Sequence, residues 1–291
     1  MTISSYLAVI INGICIGGLY GLMATAWSFQ VGALKFANFA YGASIMASMY
    51  LTYFMVSEWR FPILAAIGLI LLLNILFGYF MRRTVLREKN LIKMILTTMS
   101  ITLIIINLVT FVFSAYPRDL NIFEKRIYLY EDISVGSIQL ICLFMSMVFL
   151  FAFQLFLKKT WTGKAIRAVV QNPEAATLMG IRSERVLDIA FSLSYALIGV
   201  AALMLITMFQ VDPNYGTKIQ TYSFLVCVSA GLGSLSGAFF SGIIVGVVSA
   251  LISFVFPSAL HDPILFTLFV IILLVRPYGI FINPKSVGKA I

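Results

Sequence analysis

Charge is scarce in this chain. Only 11% of its 291 residues are Asp, Glu, Lys or Arg, while 61% are hydrophobic and the mean hydropathy is +1.03. Soluble domains carry about 25% charged residues, so a soluble fold is excluded. Histidine is nearly absent, with His261 alone. The three cysteines, Cys15, Cys142 and Cys227, lie in apolar runs without the spacing of a metal site and read as small buried hydrophobes. Neither metal nor nucleophile–base pair is indicated within the apolar runs, which argues against catalysis inside the membrane. No phosphate-binding glycine loop ending in Gly-Lys-Ser/Thr occurs, so the chain does not hydrolyse ATP by that route. No charged side chain precedes Lys35, so the first apolar run has no basic leader in front of it and reads as a retained span.

The eleven carboxylates also fall in telling places. None lies in the middle of an apolar run, and Asp188 and Asp262 come nearest, at run ends. Carriers driven by protons or sodium commonly place a carboxylate within the membrane. That device is missing here, although sodium sites built from carbonyls alone stay open. A transporter without ion-coupling residue and without ATPase is either a passive channel or one part of a larger machine.

What is present is a series of charge-free runs, each able to cross ~30 Å of hydrocarbon at ~1.5 Å per residue. They predict an all-α polytopic membrane protein, read as one transmembrane domain over residues 1–291. The expected spans are Tyr6–Trp27, Phe36–Ser57, Phe61–Met81, Met94–Pro117, Ile133–Leu157, Ile189–Val211, Ala238–Phe256 and Leu260–Val275. Between the sixth and seventh, the charge-free stretch Ile219–His261 is too long for one span and is interrupted by Gly231, Gly233 and Gly237. A broken crossing is expected there: a half-helix Tyr222–Ala230, then a glycine-rich stretch completing the passage. The count is eight full spans and one broken one.

Orientation follows from Lys and Arg in short loops. The loops Arg82–Lys93 and Lys158–Asp188, the Lys35 turn and the tail after Val275 hold 15 Lys/Arg and 4 acidic residues. The other side holds Arg60, Arg118, Lys125, Arg126 and Lys218 against 7 acidic residues. This bias puts the N-terminus outside and the C-terminus inside. It absorbs the net charge of +9, so no nucleic-acid partner is needed. The outer loop Tyr116–Asp132 mixes charge with Tyr116, Phe123, Tyr128 and Tyr130. It reads as an interfacial stretch anchored by tyrosine or as a landing surface for an external protein.

The longest hydrophilic island on the inner side, Gly163–Asp188, is built to make a short helix. Asn172 can cap it, Pro173 suits its first turn, Glu174 complements its dipole and Gly180 fits as its stop. About two turns are expected, with a small apolar face of Ala175, Ala176 and Met179. That face suits a groove in another protein; the plainer reading is a surface helix without partner.

At this point the motifs converge. Glu174-Ala175-Ala176-x-x-x-Gly180 resembles the coupling motif of ABC-importer permeases, and the stretch from Arg167-Ala168 through Gly180-Ile181 to Arg185-Val186 resembles that of the branched-chain amino acid (Liv-type) permeases. Asn38-Phe39-Ala40-x-Gly42 resembles that family's Asn-Phe-Ala-His-Gly-Glu box. Thr97-Thr98, Ser100-Ile101 and Asn107 resemble its fourth-span pattern. Gly231-Leu232-Gly233-Ser234-x-x-Gly237-Ala238 resembles its glycine turn, and Arg276-Pro277-x-Gly279-Ile280-Phe281 its ending. The matches run in order along nearly the whole chain. Tyr41 and Ala43 stand where the family usually has His and Glu. That loss, with 25 Phe in the chain, suggests a more apolar or aromatic ligand or, alternatively, positions that only pack helices.

The resemblance implies a plasma (inner) membrane permease subunit of an ATP-driven importer for branched-chain or other amino acids. It implies no enzymatic activity and no cofactor in this chain, ATP and Mg²⁺ residing on partners. Those partners would be a second homologous permease chain, two cytoplasmic ATPase subunits and an external binding protein. Coupling would fall to Arg167, Glu174, Ala175, Ala176, Gly180, Ile181 and Arg182. A substrate pathway would involve Asn38, Phe39, Tyr41, Gly42, Gly231, Gly233, Ser234 and Gly237, although the glycines also suit close helix packing. The alternatives are an ABC permease for simple sugars or nucleosides, and a passive channel or ion-coupled carrier.

Overall fold

The computed structural model describes residues 3–34, 36–85, 90–120, 126–130, 133–277 and 279–281. The Lys35 turn, residues 86–89, 121–125 and 131–132, Tyr278 and the tail beyond Phe281 lie outside the described residues. The chain is helical, with one two-stranded hairpin among the described residues. The helices are α1 (Ile3–Leu34), α2 (Tyr41–Tyr53), α3 (Ile63–Thr84), α4 (Leu91–Phe113), α5 (Ser137–Lys159), α6 (Trp161–Gln171), α7 (Pro173–Leu178), α8 (Ser183–Leu205), α9 (Tyr215–Ala230), α10 (Leu235–Val255) and α11 (Ser258–Val275). Seven of them, α1, α3, α4, α5, α8, α10 and α11, are long and apolar enough to cross a membrane.

Two expected spans come out differently. The second resolves into the 13-residue α2 and a five-residue π-helical turn, Phe54–Glu58. A charge-free run cannot reveal such a change of winding, because hydropathy is blind to it. The fifth run begins later, at Ser137. Its first residues instead form β2 (Ile133–Gly136), paired antiparallel with β1 (Arg126–Tyr130), Ile127 opposite Val135 and Tyr128 opposite Ser134. Alternating β-branched and aromatic residues favour extended backbone there. Where the broken crossing was expected, α9 forms a helix of 16 residues, about 24 Å at 1.5 Å per residue, shorter than a full span. It starts at Tyr215 and not Tyr222. After it a four-residue turn leads directly into α10, so the glycine stretch does not itself extend the passage.

The described residues divide into two compact units, those within 1–28, 121–152 and 222–290 in one and those within 29–120 and 153–221 in the other. In the first unit α1 and α10 run antiparallel at backbone contact. A Cβ on Gly13 would sit 2.8 Å from the Val247 Cα, on Gly17 2.6 Å from the Ile243 Cα and on Gly21 3.0 Å from the Phe239 Cα. Gly242 and Gly246 face them from α10. In lipid, where apolar side chains gain little by leaving the acyl chains, such close van der Waals contact holds helices together. The α9–α10 turn uses Gly231 and Gly233 at φ of +100° and +88°, and Ser234 caps α10 by accepting from the Gly237 N–H at 3.2 Å. The segment Gly279–Phe281 lies along the end of α9, where Ile280 N–H donates to the Ser229 carbonyl at 2.8 Å and Phe281 N–H to the Ala230 carbonyl at 3.2 Å.

In the second unit α2 is the core. Ten of its thirteen residues are buried, packed on by α3, α4 and α8. Ser44, Ser48 and Thr52 stand four apart on one face. Each donates its hydroxyl to the carbonyl one turn back, at 2.7, 2.8 and 2.7 Å, which removes their polarity from the interior. Asn74 on α3 also bonds Ser48, at 3.0 Å. α3 and α8 run antiparallel, with Gly78 against Tyr195 and Gly199 against Asn74. The buried Arg82 on α3 pairs with the exposed Glu184 of α8 at 3.0 Å.

Candidate functional site

The hydrophilic island forms two short helices of the second unit. Thr160 caps α6, accepting from the Gly163 N–H at 3.0 Å. Gly163, Ile166 and Val169 bury one face of α6, while Trp161 stands 87% exposed at its start with the Lys164 ammonium 5.6 Å from its ring. Arg167 is half-buried in the same helix.

Asn172 then both ends α6 and caps α7. Its side-chain oxygen accepts from the Glu174 and Ala175 N–H groups at 3.1 and 3.0 Å, with Pro173 in the first turn. Glu174 sits in that turn, where a carboxylate complements the helix dipole. At the other end Gly180 adopts φ +83°, and the Ile181 N–H reaches back to the Ala176 carbonyl at 3.0 Å. This left-handed terminus suits glycine, because a Cβ crowds the following carbonyl there. Ser183, the first residue of α8, ties the two ends together. Its hydroxyl lies 2.8 Å from that of Thr177 and 3.2 Å from the Pro173 carbonyl.

The expected helix is therefore present, with six residues in place of two full turns. Its apolar face is distributed differently from the expectation. Ala176 turns inward and is buried, while Leu178 and Met179 project at 88% and 82% exposure. Ala175 and Arg182 are also exposed and Ile181 is half-buried. Leu178 was not singled out by sequence, because it resembles any helix-forming residue until the buried face is known. In shape α7 is a short knob, tied by its two ends and the Ser183 contacts to the start of α8, a 23-residue helix packed along α3.

Of the residues read as a substrate pathway, most are packed among protein atoms in this conformation. Asn38 is buried; its amide donates to the Gln30 side-chain oxygen at 3.2 Å and to the Tyr195 hydroxyl at 3.0 Å, and its oxygen accepts from the Ala40 N–H at 3.0 Å. Gln30 continues the network to the Ser194 hydroxyl at 2.9 Å. Tyr41 and Ala43 are buried too. Gly42 faces Gly216 so closely that a Cβ would clash with the Gly216 carbonyl, and its N–H donates to the Gln220 side chain at 2.9 Å. Phe39 is half-buried, and its carbonyl accepts from Thr102 at 3.0 Å. In the other unit Gly231, Gly233 and Gly237 are buried, and Ser234 is half-buried at the cap of α10.

His261 lies inside α11 and not in a loop. Its Nε2 is 2.9 Å from the Ser249 hydroxyl and its Nδ1 2.7 Å from an Asp262 oxygen, which also accepts from the Tyr222 hydroxyl at 2.6 Å. Serine, imidazole and carboxylate follow one another as in a hydrolase relay. Ser249, however, is buried in mid-helix, where the surrounding N–H groups are engaged in the helix and offer no oxyanion donors. The cluster reads as a polar clasp of α9, α10 and α11. Among the described residues no group of His, Cys, Asp and Glu is placed to hold a metal ion.

Residues 9–275 match the family described as branched-chain amino acid transport system, permease component. The chain belongs to this permease family. Among curated relatives, the high-affinity branched-chain amino acid transport system permease protein BraD of Pseudomonas aeruginosa is 25% identical, the match covering 96% of this chain and 97% of that protein. The corresponding LivH of Escherichia coli is 25% identical over 96% of each chain. A probable branched-chain amino acid transport permease protein LivH of Methanocaldococcus jannaschii is 27% identical over 94% of this chain and 90% of its own. No solved structure matches the chain. Seven helices among the described residues that are long and apolar enough to cross a membrane, with this membership, make it a multi-pass inner-membrane permease.

Proposed function

We propose that this permease is the membrane subunit of an ATP-driven importer of branched-chain or other amino acids. The observation that carries the reading is the family match along residues 9–275, and α7 adds a docking element of suitable construction. The chain would work with a second permease chain, two ATPase subunits and an external binding protein. ATP and Mg²⁺ would be handled on the ATPases. The Lys/Arg asymmetry supports an orientation with α6 and α7 in the cytoplasm, the N-terminus outside and the C-terminus inside.

In this scheme Leu178 and Met179 seat in the ATPase, with Glu174, Ala175, Gly180 and Arg182 framing them. Ala176, Ile181 and Arg167 hold the knob against the permease. Closure of the ATPase pair pushes α7, and α8 transmits the displacement into the bundle. The segments Asn38–Gly42 and Gly231–Gly237, each within its own unit, are proposed to shift during transport. Burial of Tyr41 and Ala43, which stand where the family usually has His and Glu, supports a helix-packing role for these positions.

Tagging the chain in its native membrane, purifying it in mild detergent and identifying what co-purifies tests the reading. A P-loop ATPase together with a second apolar chain is the expected result. Recovery of this chain alone, even after cross-linking, would instead favour the channel or carrier.

A further inference from the structure

Among the described residues, two of the buried donors in the second unit that have no hydrogen-bond partner adjoin one aromatic cluster. The Tyr50 side chain on α2 is fully buried and its hydroxyl lacks a hydrogen-bond partner. The Nε–H of Arg118, beyond α4, is buried and equally unpartnered. Leaving such a group unsatisfied is costly, more so when it is charged. Arg118 also has no ion-pair partner among the described residues, although its backbone is pinned: its N–H donates to the Val211 carbonyl at 2.9 Å and its carbonyl accepts from the Val211 N–H at 2.8 Å. The Tyr50 phenol is within electrostatic reach of both Arg118 and Asp212.

Aromatic rings surround the pair. The guanidinium lies 5.6 Å from the Tyr53 ring centre and 5.9 Å from that of Phe54. Phe113 stacks on Tyr50 at 5.8 Å and meets Phe54 at 4.3 Å. The backbone is unusual at both flanks, with the π-helical turn beginning at Phe54 and Ser114 at φ +65°. Such departures gather where a chain is shaped for binding. Asp212, half-buried, accepts from the Asn214 N–H at 2.8 Å through one oxygen.

A guanidinium and a hydroxyl that both lack an acceptor match a carboxylate, which takes two hydrogen bonds at once and is favoured by charge. We propose that Tyr50 and Arg118 form a recognition site for the carboxylate of the transported solute, the rings of Tyr53, Phe54 and Phe113 receiving its apolar side chain and Asp212 its ammonium group. This rests on the amino acid importer reading. The site adjoins Val211, past the C-terminal end of α8, while α7 adjoins its N-terminal end. About 34 Å of helix, at 1.5 Å per residue over 23 residues, separates the two. In the proposed orientation the site therefore receives solute from outside, and the same helix carries the ATPase stroke to it.

The test uses the full chain with its co-purified partners in lipid nanodiscs. L-leucine and L-phenylalanine are the probes; isoamylamine and phenethylamine are their counterparts without the carboxylate. Thermal stability and equilibrium binding are read for wild type, Tyr50→Phe and Arg118→Gln. Both amino acids bind and both amines fail to. Tyr50→Phe leaves the unliganded melting temperature unchanged or higher, because the hydroxyl it removes is unbonded, yet weakens L-leucine by roughly tenfold, the loss of one hydrogen bond to a charged group. Arg118→Gln weakens it further. Equal binding by wild type and Tyr50→Phe overturns the site, as does no binding of either amino acid by wild type. A lower melting temperature for unliganded Tyr50→Phe also overturns it, since an ordered water only would then be satisfying the hydroxyl. Absence of ATPase from the wild-type preparation counts against the importer reading, and Tyr50-dependent binding in such a preparation would leave the site standing without it.

Discussion

The Asn38 amide donates to the Tyr195 hydroxyl at 3.0 Å across 157 positions of sequence. With Gln30 and Ser194 it closes a buried network in which every donor of the Asn38 side chain is used. The link fixes the segment between α1 and α2 to α8.

Removing one member strands the others without water to replace it. Asn38→Ala leaves the Ala40 N–H and the Gln30 oxygen unbonded and costs about 2–3 kcal/mol, whereas Tyr195→Phe removes only the hydroxyl's bonds to Asn38 and Ser44 and costs about 1 kcal/mol. Unfolding of the purified chain in detergent orders the two. Equal effects from both substitutions would mean that Asn38 is held by Tyr195 alone.

Backbone contact between α1 and α10 sets a second expectation. Gly242→Ala places a methyl on the backbone of Gly21, and such overpacking costs typically 1–3 kcal/mol. Gly68→Ala on α3 meets nothing within 4 Å and is neutral or up to about 1 kcal/mol stabilising, as for a helix glycine relieved of its freedom. Melting temperatures of the two variants in one detergent give the comparison. Parity between them would sink the close-packing account.

What the sequence made legible follows from range. The α7 knob is local: Asn172, Pro173 and Gly180 act within eight positions of one another, so cap, first turn and stop could all be read in advance. The long spans were legible because length and hydropathy suffice. Pairings were not. Gly13, Gly17 and Gly21 have the four-residue spacing of a contact face, yet nothing in them names Gly242 and Gly246 as the opposite face. His261 looked solitary because Ser249 and Tyr222 come from other helices. The outward turn of Leu178 and the inward turn of Ala176 depend on where α6 and α8 lie, which propensity does not encode. The shortening of the second span to α2 arises from a π-helical turn inside an unbroken apolar run.

The clasp of Ser249, His261 and Asp262 is expected to act as a unit. His261→Ala and Ser249→Ala should each destabilise by about 1 kcal/mol or more, and the double variant by less than their sum, with a coupling of about 0.5–1 kcal/mol. A double-mutant cycle by thermal or chemical unfolding measures it. Strict additivity would show that the 2.9 Å contact contributes nothing to the packing of α10 on α11.

The α7 knob gives the most direct functional prediction. Leu178 and Met179 are more than four-fifths exposed, so Leu178→Asp with Met179→Asp should change the stability of the isolated permease by no more than about 0.5 kcal/mol per site. If the pair seats in an ATPase groove, losing two apolar anchors at an interface centre costs at least 2 kcal/mol, roughly thirtyfold in affinity. Uptake and ATPase co-purification should then fall together while membrane abundance holds. Gly180→Val reaches the same end differently. Nothing stands within 4 Å of an added Cβ, but the φ of +83° costs an L-residue about 1–2 kcal/mol, so the end of α7 unwinds and the knob loses its angle. Intact uptake in the double Asp variant would show that α7 is a surface helix and that the stroke enters the permease elsewhere.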